Sequence, residues 1–430
     1  MDLKCNYEFC DFKCNNKRIY DKHIHRHNID NKLLNELIEN LNNDDSKNKI
    51  NIYCLSFSVL NLVLEKISKN ININIINLKN VNIENVQFYE SDILIVWEMF
   101  NEYYIDKIIY LNDKIKKKIW VFYEHPTHYE NYFKWKIYFD YIFSMDLNEL
   151  NRIKHKWIPA YHFLFEGEFN ENNEYSFIIK NMYKKEKFMC TDGISSAVSQ
   201  LREKLIQTLV NTGVDIDIYG INSALVRCCR KNHKGPLGLR KFKRGDYKTK
   251  SLLKTEVFKK YKFVVVCENI FTFGNFTEKI IDCLGSLSIP IIFGSFNAKY
   301  IFPDLFDNCL IDGFEFKNCN ELVNYIENMS NDEYNKRINN IKKVRNKYYK
   351  MFSCDYICDY ISNEITKIIN NDYTYENEFK NINDKFKEDI DLFESNKKCN
   401  FDLNLKYICN RCKSLFDIRY PFLKHIRSCK

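Results

Sequence analysis

A short polar segment between two apolar runs carries the side chains best suited to chemistry. The runs at residues 263–266 and 288–293 are short and rich in β-branched residues, which predicts two strands buried on both faces. Between them, Thr277 is placed to cap a helix whose first turn contains Glu278 and Lys279. The unpaired N–H groups at a helix start attract anions, and a lysine in the same turn adds positive charge, so this position can bind phosphate. The segment therefore predicts a phosphate site after a buried strand.

Cysteine and histidine residues cluster at both ends of the chain with the spacing of zinc ligands. Four such ligands around one ion are typical of a structural zinc site in a small ββα finger. A module of this size cannot fold without its metal, so the four ligands must meet on one Zn. In the N-terminal cluster, Cys14 and His25 are rival ligands. The N-terminal set is Cys5, Cys10, His23 and His27, and the C-terminal set is Cys409, Cys412, His425 and Cys429.

The elements that must position these groups alternate between strands and helices. A helical pattern at residues 59–67 separates the first two apolar runs, and a second alternating set extends over about residues 188–349. Such alternation predicts parallel sheets with helices on both faces. We therefore expect an α/β protein with two Rossmann-like domains facing a cleft. The runs of the first set are residues 50–57, 71–76, 93–97, 119–123 and 141–144.

Three motifs follow one another in a fixed order within the second set. They are Cys-Glu-Asn at 267–269, Thr-Glu-Lys at 277–279 and Ile-Pro-Ile at 289–291 ahead of Gly294. The series resembles the donor-binding signature of the α1,3/1,4-fucosyltransferases, glycosyltransferase family ten, with Cys267 in the place of a Phe, and similarity continues to about Tyr334. The resemblance implies the GT-B arrangement and an inverting, metal-independent transferase. Its reaction would move L-fucose from GDP-fucose to a sugar hydroxyl of a glycan or glycoprotein.

The resemblance also implies roles for single residues. Arg202 and Lys279 match the cations that stabilise the departing diphosphate. Asn269 and Glu278 match groups that hold sugar and ribose hydroxyls. Glu124 matches the base that deprotonates the acceptor hydroxyl, and its place after a predicted strand suits a group at the mouth of a cleft.

Two positions leave alternatives open within this interpretation. His125 directly follows Glu124 and is a rival for the role of base. The family often has Tyr two residues before its Thr-Glu-Lys motif, whereas this chain has Asn275. The donor is therefore expected to be GDP-fucose or a related nucleotide sugar.

The positive charge of the chain is concentrated in one segment. Residues 221–262 contain 14 Lys and Arg but two acids, a local charge of +12, so the rest of the chain carries −4 of the total of +8. A solvated loop, a nucleic-acid partner and a diphosphate-sugar pocket are all compatible with such a segment. Its role stays open at the level of sequence.

Two rival interpretations concern metal and nucleic acid. Asp215 and Asp217 form an Asp-x-Asp pair of the kind used by Mn-dependent transferases, but they coincide with a predicted strand. The fingers and the basic segment would also suit a zinc-finger nucleic-acid-binding or protein-binding protein built on a degenerate transferase. Tandem fingers read DNA by following one another along the groove, whereas these two are separated by the whole transferase core. Docking of a protein partner or a glycan acceptor is therefore the favoured role of the fingers.

Composition and hydropathy indicate which cellular compartment and which domain organisation to expect. No apolar run approaches the about 18 residues of a membrane span, and no signal-peptide pattern is present, so we expect a cytoplasmic protein of the bacterial or viral style. With 17 Cys in such a protein, metal ligands and buried thiols are expected in preference to disulfides. The expected plan is an N-terminal zinc finger (1–28), a helix and linker (29–48), an acceptor-side Rossmann-like domain (49–165), a nucleotide-sugar donor domain (166–365), a charged helical connector (366–404) and a C-terminal zinc finger (405–430).

Overall fold

The chain divides into two compact units in a computed structural model. One unit comprises Met1–Ala160 and Cys354–Glu378, and the other comprises Tyr161–Ser353 and Phe379–Lys430. The residues that the structure describes are 3–4, 13–14, 49–55, 60–78, 85–97, 103–122, 132–144, 155–158, 187–191, 200–219, 229, 231–235, 257–272, 276–277, 279–295, 298–373, 407–408 and 415–416.

The first unit begins with a small hairpin and continues as a parallel sheet. Strands β1 (Leu3–Lys4) and β2 (Lys13–Cys14) pair antiparallel. The six strands that follow are all parallel, in the order β4-β3-β5-β6-β7-β8. They are β3 (Ile50–Leu55), β4 (Ile73–Asn77), β5 (Ile93–Trp97), β6 (Lys117–Phe122), β7 (Tyr141–Ser144) and β8 (His155–Trp157).

Helices and aromatic side chains form the core of this unit. Every residue of β5 is buried, as expected for a central strand of a parallel sheet that is covered on both faces. Trp120 lies among aromatic rings, with its ring centroid 5.0 Å from those of Tyr132 and Phe139. The helices that connect the strands are α1 (Leu60–Ser68), α2 (Tyr103–Asn112) and α3 (Tyr132–Trp135).

The second unit contains another parallel sheet of six strands. Its order is β11-β10-β9-β12-β13-β14, and every pairing is parallel. The expected α/β class with parallel sheets is thus confirmed. The strands are β9 (Lys187–Thr191), β10 (Ile216–Tyr219), β11 (His233–Gly235), β12 (Tyr261–Thr272), β13 (Ile289–Ser295) and β14 (Ile311–Asp312).

Polar side chains cap the N-termini of two helices in the second unit. The side chain of Asn318 accepts a hydrogen bond from the amide of Glu321, and that of Ser330 accepts one from the amide of Glu333. Both are N-caps that satisfy amides left unpaired at a helix start. The helices are α4 (Gln200–Asn211), α5 (Lys279–Gly285), α6 (Ala298–Ile301), α7 (Pro303–Phe306), α8 (Cys319–Glu327) and α9 (Asn331–Met351).

Helix α10 (Cys354–Ile369) returns to the first unit, whereas the sequence places it at the end of a donor domain over 166–365. Lys66 of α1 forms an ion pair with Asp359, and Lys156 of β8 lies 3.5 Å from Glu364. Lys117 donates a hydrogen bond of 2.8 Å to the carbonyl of Ile369. Helix α10 also packs against α1 of the first unit.

A second two-stranded hairpin, β15 (Tyr407–Ile408) with β16 (Leu415–Phe416), pairs antiparallel near the C-terminus.

None of the helices that the structure describes has the length and apolarity required to cross a bilayer. The cysteines whose side chains are described are buried thiols, in line with the expectation from the sequence.

Candidate functional site

The candidate site lies where the strand order of the second sheet reverses. Strands β10 and β11 lie on one side of β9, and β12, β13 and β14 lie on the other. Ligands of open α/β sheets bind outside the carboxyl ends of the strands at such a switch point. Helix α4 follows β9 and helix α5 follows β12. Arg202 and Lys279 therefore each belong to the first helical turn after one of these two neighbouring strands.

Glu268, Thr277 and Lys279 form a closed cluster at the end of β12. The ammonium of Lys279 donates to Glu268 Oε2 at 2.9 Å and to Thr277 Oγ1 at 2.7 Å. The amide of Thr277 donates to Glu268 Oε1 at 2.9 Å, and its hydroxyl lies 2.8 Å from both carboxylate oxygens. Glu268 is 0% exposed and Lys279 is 8% exposed. The lysine is thus held by a buried anion of the protein itself.

Gly294 makes room for the Glu268 side chain. It has φ of +149°, and a Cβ added at this position would lie 2.4 Å from the Cβ of Glu268. In the sheet, Cys267 pairs with Phe293, so Glu268 and Gly294 are the next residues along the two strands. The pairing is irregular between Cys267 and Thr272. The glycine of the sequence motif is therefore required for close packing against the carboxylate.

Arg202 is almost fully buried, at 2% exposure. Its neighbours on α4, Glu203 and Gln207, are each 1% exposed. Arginine side chains are mostly exposed on protein surfaces, so Arg202 is not an ordinary solvated residue of a surface helix. The planar guanidinium of an arginine can donate to two phosphate oxygens at once.

The sequence predicts Lys279 but not its partner. Glu268 appears in the motif only as part of the Cys-Glu-Asn series, with no role attached. A usable signal was present: Glu268 follows the buried run 263–266 after one further apolar residue, and a glutamate that enters the protein interior needs a cation. Thr277, expected as a helix cap, instead contacts both Glu268 and Lys279 through its hydroxyl.

Asp217 is engaged by two lysines and is not arranged as half of a metal pair. Lys187 Nζ lies 2.6 Å and Lys234 Nζ 3.1 Å from its carboxylate oxygens, and the hydroxyl of Tyr261 donates to it at 2.6 Å. Burial raises the pKa of Asp217, but these hydrogen bonds outweigh burial and hold the pKa below its ordinary value. Asp215 is exposed and precedes β10. The Asp-x-Asp alternative is thus not supported by the geometry.

Lys234 also gives a structural role to part of the basic segment 221–262. Its strand, β11, forms the edge of the second sheet, and its ammonium joins that edge to Asp217 of β10. Among the described parts of the chain, no group of three or more His, Cys, Asp or Glu side chains lies together as a metal site.

Several of the predicted site residues lie outside the described residues. These are Glu124, Glu278 and the eight ligands expected for zinc. Asn269 belongs to β12, but its side chain is not among those described. The structure therefore describes the diphosphate-binding part of the prediction, Arg202 and Lys279, and adds Glu268, Thr277 and Gly294 to it.

Comparison with known proteins agrees with this location. Residues 182–385 match the family described as glycosyltransferase family 10 (fucosyltransferase) C-term. A stretch of 72 residues is 36% identical to an α-(1,4)-fucosyltransferase of Arabidopsis thaliana. That stretch is 17% of this chain, and the chain spans only 17% of the length of that relative.

Solved structures show similarity at low sequence identity. A crystal structure of an α1,3-fucosyltransferase is 17% identical, with a TM-score of 0.44, over 78% of this chain and 95% of that chain. The same enzyme type with GDP is 16% identical, with a TM-score of 0.43, over 78% and 94%. HepE of Anabaena with UDP and glucose is 9% identical, with a TM-score of 0.41, over 74% and 100%. The family match includes Arg202, Glu268 and Lys279, so residues 182–385 are similar to the C-terminal domain of glycosyltransferase family 10.

Proposed function

We propose that this protein is an inverting glycosyltransferase that transfers L-fucose from GDP-fucose, or a close relative of that donor, to a hydroxyl of a glycan or glycoprotein. The observation that carries the proposal is the pair of buried cations, Arg202 and Lys279, at the switch point of the second sheet. Buried cations after the carboxyl ends of parallel strands suit a diphosphate. Both belong to the range that matches glycosyltransferase family 10.

The proposed reaction is a single displacement at the anomeric carbon. Glu124 takes the proton of the acceptor hydroxyl, whose oxygen forms a bond to that carbon. The bond from the carbon to the diphosphate breaks on the opposite face, and its electron pair leaves with GDP. Arg202 and Lys279 stabilise the charge that develops on the diphosphate, which is usually the largest contribution to catalysis in such sites. Asn269 and Glu278 hold sugar and ribose hydroxyls.

A panel of nucleotide sugars tests the identity of the donor. We expect GDP-fucose to raise the melting temperature of the full-length protein more than UDP-glucose, UDP-N-acetylglucosamine or GDP-mannose. A ligand present at 100 times its Kd stabilises the native state by about 2.7 kcal/mol, because it binds only that state. Differential scanning fluorimetry measures the shift. A larger shift with a UDP-sugar than with any GDP-sugar would contradict the choice of donor.

The proposal includes one structural zinc ion near each end of the chain. Both candidate ligand sets contain only cysteine and histidine, the ligands that structural zinc prefers. The antiparallel hairpins β1–β2 and β15–β16 support it, since zinc fingers of this kind begin with a two-stranded hairpin. In sequence, Cys409 and Cys412 lie between the strands of the second hairpin, and Cys5 and Cys10 lie between those of the first.

We expect the purified full-length protein to contain close to two zinc ions per chain. Each four-ligand set is closed, so Cys412→Ser should lower the content to close to one ion. Inductively coupled plasma mass spectrometry gives the metal content. Fucose transfer to a small acceptor should continue in EDTA, because in the proposed mechanism the departing diphosphate is stabilised by Arg202 and Lys279 and not by a metal ion. Activity that returns only with added Mn²⁺ would contradict the proposed metal-free mechanism.

A further inference from the structure

The carboxylate of Glu268 lies directly behind the candidate phosphate-binding lysine. It accepts hydrogen bonds from the ammonium of Lys279 and from both the amide and the hydroxyl of Thr277. The third side of the triangle is the 2.7 Å contact between Lys279 and Thr277. Glu268 itself is completely buried, so it cannot touch a donor that binds from solvent.

The position of Glu268 is fixed by the sheet. It belongs to β12, between the paired residue Cys267 and the irregular stretch that precedes Thr272. Gly294 of β13 packs against its Cβ and Cγ at distances that only a glycine allows. A carboxylate held in this way provides a rigid anchor for the flexible lysine chain. Lysine has four rotatable methylenes, and its charge is not confined to one place unless a partner confines it.

We propose that Glu268 is a positioning residue for the donor diphosphate: it holds the Lys279 ammonium where the diphosphate is received, before the donor binds. This inference rests on the proposed function, because it assumes that Lys279 contacts the diphosphate. A lysine that is already ordered loses little freedom on binding, so the affinity for the donor increases. The effect of Glu268 on the ligand is therefore transmitted through Lys279.

The test uses GDP as the probe and isothermal titration calorimetry on the full-length protein. Glu268→Gln keeps the size of the side chain and removes the charge that holds Lys279. We expect it to weaken GDP binding roughly 10-fold or more, the loss typical of one charge-assisted contact. Adding Lys279→Met to this variant should change the Kd by less than about threefold, since the lysine is already misplaced.

Two further variants control for general loss of stability. Glu364→Gln breaks a comparable buried ion pair with Lys156, far from the candidate site in sequence and in the other unit. It should lower the melting temperature and leave the Kd for GDP unchanged. Thr277→Val keeps both charges but removes the hydroxyl that contacts Glu268 and Lys279, and it should weaken GDP binding severalfold. It also provides a readout if Glu268→Gln does not fold.

The outcomes separate this inference from the proposed function. If Glu268→Gln and Thr277→Val both bind GDP with the affinity of the wild-type protein, the inference is overturned and the proposed function is not. Tighter binding in Glu268→Gln also overturns it, and would mean that Glu268 competes with the diphosphate for Lys279. A full 10-fold to 100-fold loss on adding Lys279→Met to Glu268→Gln would show that Glu268 does not act through the lysine. A wild-type protein that does not bind GDP at all overturns both proposals.

Discussion

Replacing Glu124 by Gln is expected to reduce turnover roughly 100- to 10,000-fold while the affinity for GDP-fucose stays at its wild-type value. The amide has nearly the shape of the carboxylate, so the acceptor still binds, but it cannot take the proton of the acceptor hydroxyl. Steady-state kinetics with GDP-fucose and an acceptor sugar would give kcat, and calorimetry with GDP would give the donor affinity. The fall should therefore be confined to kcat.

His125→Ala is the matched control for this assignment. It changes the neighbouring residue, removes the rival base and should leave turnover within a few-fold of the wild type. The assignment of Glu124 fails if His125→Ala abolishes transfer while Glu124→Gln remains active. A bell-shaped or sigmoidal pH profile that disappears in Glu124→Gln would support the carboxylate, because the profile of kcat reports the ionisation of the essential base in the complex.

Two predicted strands of the first sheet coincide with observed ones. The range 93–97 coincides with β5, which is buried throughout, and the range 141–144 coincides with β7, whose first two residues are partly exposed. Both are inner strands of a parallel sheet, and such strands appear in a sequence as short apolar runs. β8 has no such signal, since His155 and Lys156 are polar and are nevertheless buried in the structure. An edge strand of this kind is defined by its pairing with β7, which is a tertiary contact.

Helix α10 shows a second limit of sequence patterns. Its amphipathic spacing is typical of a helix with one buried face, but such spacing does not identify the partner that buries that face. The partner is α1, nearly 300 residues earlier, through contacts such as that of Lys66 with Asp359 (293 residues apart). Patterns of period 3.6 describe a single element, so the assignment of a helix to one of two similar domains requires the folded chain.

The candidate site was predictable in its charges and not in their partners. The motif series identifies Lys279, and the resemblance adds Arg202, but neither indicates that both are buried. Glu268 and Gly294 meet only because β12 and β13 pair in one register, with Cys267 beside Phe293. Register depends on the whole sheet. The ion pair that holds Lys279 therefore becomes visible only in three dimensions.

Lys279→Ala is expected to lose both donor binding and stability. The buried Glu268 would remain without its ammonium partner, and breaking one side of such a pair typically costs about 3–5 kcal/mol. For a unit of this size the melting temperature should fall on the order of 10 °C.

Arg202→Met should also weaken GDP binding roughly 10- to 100-fold, since it removes the other cation proposed to contact the diphosphate.

The double variant Lys279→Ala with Glu268→Gln separates the two effects of Lys279. Removing both charges leaves no buried ion without a partner, so most of the lost stability should return, as measured by thermal or denaturant unfolding. GDP binding should not return, because the ammonium that meets the diphosphate is still missing. If the double variant regains GDP affinity together with stability, the loss in Lys279→Ala came from misfolding, and the assignment of Lys279 to the diphosphate is wrong.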